Sequence, residues 1–403
     1  MTNYDLALLG GKVVTATATT EANIYLRQSK IAKVSPQIFP AERTLRVNGR
    51  LIFPGLVDPH CHLRHFEQSQ KGTIRSETKA AVAGGYTHVF WVGNTSPSIT
   101  SKEMLGKAIA EISKEAVCKV TPYLVVGDQN FSEAKELQHP YNKLFLGPST
   151  SSLGISDEVF GEAVSSLPFV AVHPEDRNTL EQHKMEKNHC LARPYEAELS
   201  AVQMCVNQTS VNRMYLFHLT GKQSFDLIQN VPNVWGEVCP HHLFLDKENY
   251  DQLGNVAKMN PPLRSKAMKE QLWNALLSGM VMSVGTDHAP HTKAEKKEGA
   301  AGVPGFETAL PLFLTQAAKG LLSYNRIVEL MSHMPRKILS LPPNNVLPGD
   351  LADLTVVDPH HNWVCTVDKL ETKNKWSPFE GWSFEGRVTA TVVEGHLNTI
   401  ADD

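Results

Sequence analysis

LIFPGLVDPHCHLR, residues 51–64, begins as an apolar run and ends in a cluster of metal-capable and charged residues. Read as a strand, it sends successive side chains to opposite faces, so His60 and His62 project to one side and Cys61 to the other. Two imidazoles two residues apart at a strand end can grip one metal ion, and zinc commonly takes such nitrogen ligands. Arg64 falls on the same side and carries a planar fork suited to a carboxylate. A His-x-His is common by itself, so its weight depends on what the other strands of the chain end in.

Working outward, residues 51–340 alternate short apolar runs with helical patterns, the signature of βα units. After LIFPGLV come THVFWVG (87–93), VTPYLVVG (120–127), KLFLG (143–147), FVAVH (169–173), MYLFH (214–218), NVWGEV (233–238) and VMSVGTD (281–287). Amphipathic segments such as SKEMLGKAIAEISKEA and SKAMKEQLWNALLSG lie between them. Eight such strands predict an α/β fold, a (β/α)8 TIM-type barrel with its site at the strand C-terminal ends. Residues 1–50 and 341–403 read instead as short strands and turns, with Gly10-Gly11 and Ser29-Lys30 as hairpin turns. The two ends together predict one small β-sandwich domain flanking the barrel.

Composition limits the alternatives. Of 403 residues, 41% are hydrophobic and 20% charged, so a large core is expected. A net charge of -3 makes no electrostatic case for a nucleic-acid or anionic-membrane partner. Six cysteines, at 61, 118, 190, 205, 239 and 365, show no paired spacing and read as reduced thiols of a cytoplasmic protein. The N-terminus lacks a secretory pattern, and no apolar run approaches the roughly 20 residues that span a bilayer.

The strand ends carry the functional argument. The first run ends in His60 and His62, the second in Asn94, and the fourth begins at Lys143. The fifth ends in His173, the sixth in His218, the seventh in Glu237 followed by His241 and His242, and the eighth in Asp287. A single buried His is usually a hydrogen-bonded core residue, and a single Asp after a strand is usually a helix cap. So many falling at the same structural position argue for one metal site at the barrel mouth. Structural zinc fits poorly, because such sites favour closely spaced Cys ligands. The histidines at 139, 183, 189, 333, 360, 361 and 396 fit no strand end and are expected at the surface.

DPHCHLR, KLFLG, VAVHPED, FHLTGK, CPHHLFL, KMNPPLRS and GTDHAPHTKAEK resemble the dihydroorotases of the amidohydrolase superfamily, over nearly the whole chain. The most specific piece, Gly285 to Lys296, keeps Asp-x-Ala-Pro-His with a Lys five positions after the His. The resemblance implies two zinc ions per subunit, one held by His60, His62 and Asp287, the other by His173 and His218. Lys143, carboxylated by carbon dioxide, would bridge them. It also implies Asp287 as the catalytic proton carrier, Arg64, Asn94 and His291 as ligands of the substrate carboxylate, and Asn260 as a ring contact. Glu237 and His242 read as partners that orient the ligands. The implied reaction is the reversible cyclisation of N-carbamoyl-L-aspartate to dihydroorotate in pyrimidine biosynthesis. The resemblance further makes a homodimer and an association with aspartate transcarbamoylase expectations.

Two departures border the substrate side. Where the family often follows its Arg with Glu-Pro-Gly, Arg64 here runs into HFEQSQKG, and the usual Met-Pro-Asn-Thr is Val92-Gly93-Asn94-Thr95. They keep open another cyclic amidohydrolase, of allantoinase or hydantoinase type. An inactive scaffold for aspartate transcarbamoylase is the rival from a different class, although the full ligand set is retained. The segment His291 to Glu307 is rich in Lys and Gly and lies in sequence where it could cover the site.

Overall fold

The computed structural model describes residues 4–147 and 153–400. The chain opens with β1 (Leu6–Val14), β2 (Thr19–Arg27), β3 (Lys30–Ser35), β4 (Arg43–Arg46) and β5 (Leu51–Pro54). The barrel follows as β6 (Leu56–Cys61), β7 (Tyr86–Val92), β8 (Lys119–Val125), β9 (Asn142–Phe145), β10 (Val170–His173), β11 (Met214–Leu216), β12 (Val234–Val238) and β13 (Ser283–Val284). These eight pair in sequence order, parallel throughout. A parallel bridge between Cys61 and His288 joins the last strand's extension to the first, and the His62 amide donates to the His288 carbonyl at 2.7 Å. The eight expected strands are present, and the ring closes.

The C-terminal β14 (Leu354–Val364), β15 (Ser383–Val393) and β16 (His396–Thr399) complete a second sheet, in the order β16-β15-β14-β5-β1-β2-β3, with β4 on β1. Both chain ends build it, as expected, but as one hydrogen-bonded path that packs its own apolar cluster from residues of both halves. Two local readings change. LIFPGLV is shared between the sheets: β5 pairs with β1 and β14, and Gly55 then turns the chain into β6. A Cβ on Gly55 would stand 2.3 Å from Thr87 Oγ1, so only glycine fits that corner. Gly10-Gly11 is a bulge inside β1, with Gly10 at φ +80°, and β1 turns into β2 only after Val14.

Alternation along the barrel strands divides the core in two. Val89, Trp91, Val170, Val172, Met214 and Leu216 pack outward against the helices, while Phe90, Val92, Ala171, Tyr215 and Phe217 fill the barrel. The helices over Lys102–Glu115 and Lys266–Leu277 are capped by Ser101 and Ser265 and bury Leu105, Ala108, Leu272, Ala275 and Leu276. Among the described residues no helix is long and apolar enough to cross a membrane.

Candidate active site

Inward parity carries Lys143 and His173 into the barrel, two residues from Phe145 and Ala171. His60 arrives differently. Val57 faces inward, so unbroken alternation would put Cys61 inside and His60 out. Between the pairs Asp58–Val89 and Cys61–Trp91, however, β6 carries one residue more than β7. This bulge reverses the parity, aims His60 into the mouth and buries Cys61 against the Phe90 carbonyl. His218 and Asp287 end their strands at φ 42° and 46°, and Arg64, His65 and Phe66 continue β6 at φ 63°, 64° and 45°. Non-glycine residues in this region are costly and cluster at functional sites. Arg64 therefore reaches the site through a turn rather than along the strand.

One cavity collects His60, His62, Arg64, Asn94, Lys143, His173, His218, Asn260 and Asp287, together with Phe145, Ala289, Ala301 and Gly302. The Nε2 atoms of His60 and His62 lie 3.1 and 3.0 Å from the same oxygen, Asp287 Oδ1. Their Nδ1 atoms are held from behind, His60 by Glu237 Oε1 at 2.6 Å and His62 by Asn94 Oδ1 at 2.8 Å. An Nδ1–H given to an acceptor leaves the Nε2 lone pair facing inward. Three acceptor atoms thus converge where a cation is needed. Burial disfavours a charged His60, but Asp287 and Glu237 overcome it and raise its pKa to about 9, so an ion bound there would displace a proton from Nε2. Burial lowers His62 to about 4, and Asp287, despite burial, is held well below the usual range by His60 and His62. The residues fit a metal ion.

Opposite, His173 Nδ1 and His218 Nε2 face each other at 2.8 Å, and His173 Nε2 is held by Glu175 Oε2 at 2.7 Å. Burial keeps both imidazoles neutral, His218 strongly so. Lys143 is 1% exposed, and its Nζ has no hydrogen-bond partner among the described residues and stands 3.9 Å from the Phe217 ring centroid. Burial pushes its pKa well below that of an ordinary lysine. A neutral buried amine is the form that adds carbon dioxide.

Arg64 is 4% exposed, and among the described residues no carboxylate lies within 4.0 Å of its guanidinium. Its Nε donates to the Pro290 carbonyl and its Nη2 lies 3.0 Å from His291 Nε2. His291 thus backs Arg64 rather than lining the cavity. Asn260 does line it, with its Oδ1 buried and without a partner among the described residues. Glu237 orients His60 and also accepts from the His218 amide at 3.3 Å. His242 lies outside the cavity, its Nε2 on the Pro261 carbonyl at 2.9 Å.

Several working residues escaped sequence reasoning. Glu175, two residues after His173 in HPED, was the one with a visible signal, and it is paired with Arg193. Asp58 accepts from the Thr286 amide and hydroxyl, tying β6 to the chain beyond β13, and Phe217 stacks on His60 at 3.7 Å. Three histidines expected at the surface are half-buried and bonded to backbone, His139 to Pro122, His183 to Thr179 and His189 to Met259.

Residues 49–139 match the dihydro-orotase-like family model and residues 166–397 the amidohydrolase family model. The dihydroorotase of Pyrococcus furiosus is 34% identical, over 98% of this chain and 93% of its own length. That of a Geobacter species is 30% identical, over 98% and 99%. Among solved structures, the L-hydantoinase (dihydropyrimidinase) of Arthrobacter aurescens superposes with a TM-score of 0.93 at 24% identity, covering 99% of this chain and 97% of that one. A dihydropyrimidinase from Brevibacillus agri gives 0.89 at 24%, covering 97% and 94%.

Proposed function

The chain belongs to the dihydroorotases of the amidohydrolase family, hydrolases of a cyclic amide, and from that premise we propose how its residues divide the work. The observation that carries the substrate assignment is Arg64, a buried cation beside the converging metal-type ligands that has no paired carboxylate among the described residues. Dihydroorotate brings a carboxylate to that position, whereas a hydantoin ring has none, which is why the hydantoinase reading ranks second.

His60, His62 and Asp287 would hold one zinc ion and His173 and His218 another. Lys143 would add carbon dioxide through its neutral amine, forming an N–C bond and releasing one proton, and the resulting carbamate would supply an anionic ligand. Such ions, when bound there, would supply Lewis acidity for activating a water and polarising the ring carbonyl. Asp287 takes the proton released in the attack and passes it to the ring nitrogen as the C–N bond breaks; in cyclisation it runs the transfer in reverse. Arg64 and Asn94 hold the carboxylate, with His291 steadying the guanidinium, and Asn260 meets the ring. Glu237, Asn94 and Glu175 keep the imidazoles turned inward, and His242 fixes the Pro261 turn beside Asn260.

The test compares dihydroorotate, allantoin and hydantoin as substrates, with zinc content measured, for the wild type and Asp287→Ala. Dihydroorotate is expected to be preferred and the variant to lose turnover. Retained activity on dihydroorotate in the variant refutes the assignment.

A further inference from the structure

Lys296 lies outside the cavity, in the short helix Lys293–Lys297, and is only 3% exposed. Its ammonium donates to three backbone carbonyls, those of Lys258 and Ala300 at 2.8 Å and Gly302 at 2.9 Å. An ammonium has three N–H donors, so its capacity is filled by backbone alone. The Lys258 carbonyl also accepts from the Gly302 amide at 2.9 Å. Two segments far apart in sequence therefore share one carbonyl and one cation.

Both segments reach the cavity. The first leads from Lys258 to Asn260, whose Oδ1 is buried without a partner among the described residues, and the second brings Ala301 and Gly302 to the wall. The Ala301 carbonyl lies 3.0 Å from His291 Nε2, the atom that meets Arg64. Trp376 lies 5.4 Å from the ammonium and donates its indole N–H to the His291 carbonyl at 2.8 Å. Desolvating a cation is expensive, and neutral donors tie loops at lower cost. A buried lysine with only carbonyl partners has its effect in the placement of what those carbonyls belong to.

We infer that Lys296 is a positioning residue that holds the 258–260 and 300–302 segments in register as the substrate-side wall of the cavity. The identity of the ring they enclose rests on the dihydroorotase reading; the positioning itself does not. Lys296→Met removes all three donors at similar length, and Lys296→Gln keeps two without charge.

In the holoenzyme, Lys296→Met should raise KM for dihydroorotate at least about tenfold, which is ~1.4 kcal/mol. kcat should stay within about threefold and zinc content should not change, since no ligand of the metal-type clusters is touched. Lys296→Gln should fall between the two. Hydrogen exchange of the Gly302 amide and its neighbours should quicken in both variants. An unchanged KM with unchanged exchange overturns the inference, as does a parallel loss of zinc and kcat. Failure of both variants to fold would assign Lys296 to stability alone and also overturn it. A wild type that does not turn over dihydroorotate rejects the functional reading instead, and the exchange comparison then still decides on Lys296.

Discussion

Glu237→Gln should lower both metal affinity and the stability of the metal-free protein. The Glu237 carboxylate is fully buried, and one oxygen accepts from His60 Nδ1 at 2.6 Å and from the His218 amide at 3.3 Å. The isosteric amide keeps the shape, in a pocket where Gly285 is packed against the carboxylate. It replaces a hydrogen bond to a charged acceptor, worth about 1.5–3 kcal/mol, with a neutral one worth about 0.5–1.5 kcal/mol. The loss of about 1–2 kcal/mol falls on the inward orientation and basicity of His60, so zinc affinity should drop about five- to thirtyfold.

The metal-free protein loses the charged partner that helps hold His60 protonated, and a buried pair broken from one side should cost stability as well. Chelator competition would read the zinc affinity and urea unfolding of the stripped protein the stability. Equal zinc affinity in variant and wild type would refute the assignment of Glu237 as the partner that orients His60.

Arg64→Gln should raise KM for dihydroorotate by about thirty- to 150-fold, the ~2–3 kcal/mol of a charged hydrogen-bond partner, with zinc content intact; an unchanged KM would sink the carboxylate clamp. Lys143→Met should abolish turnover, and stripped wild-type protein should recover only when zinc and bicarbonate are supplied together. Recovery without bicarbonate would exclude the carbamate. His88 sits beneath the site, bonded to Thr121 Oγ1 at 2.8 Å, and burial, with Arg336 and Lys119 near, lowers its pKa to about 3. Its folded value lies below the unfolded one of about 6.5, so the unfolded chain binds the extra proton and stability falls as pH drops from 6.5 towards 3. His88→Gln should flatten that fall by on the order of 1–2 kcal/mol at pH 5, read from urea midpoints at pH 7.5 and 5; an identical slope would remove His88 as its source.

The barrel and most of its cavity were legible in the chain. Apolar runs ending in His, Lys and Asp mark parallel strands whose C-terminal ends share one mouth, and nine of the residues singled out there and in NPPLR line the cavity, whereas Glu237, His242 and His291 stand outside its lining. That legibility comes from local rules, since strand alternation and run length are properties of a few adjacent residues. His60 shows where such rules stop. Its pairing with His62 on one face was readable, but its inward aim depends on an extra residue in β6 relative to β7, a property of two strands at once. The division of LIFPGLV between two sheets is of the same kind, decided by β14 arriving from some 300 residues downstream.

The sequence by itself determined the α/β barrel and which residue types, Arg64 among them, meet at its mouth, because each is carried by residue identity at or just after a strand end. Only the tertiary structure decided that Glu175 holds His173, that His291 stands behind Arg64, and that Lys296 binds three carbonyls. Hydrogen-bond partners are chosen by which backbone groups folding leaves unpaired nearby, and no spacing along the chain encodes that.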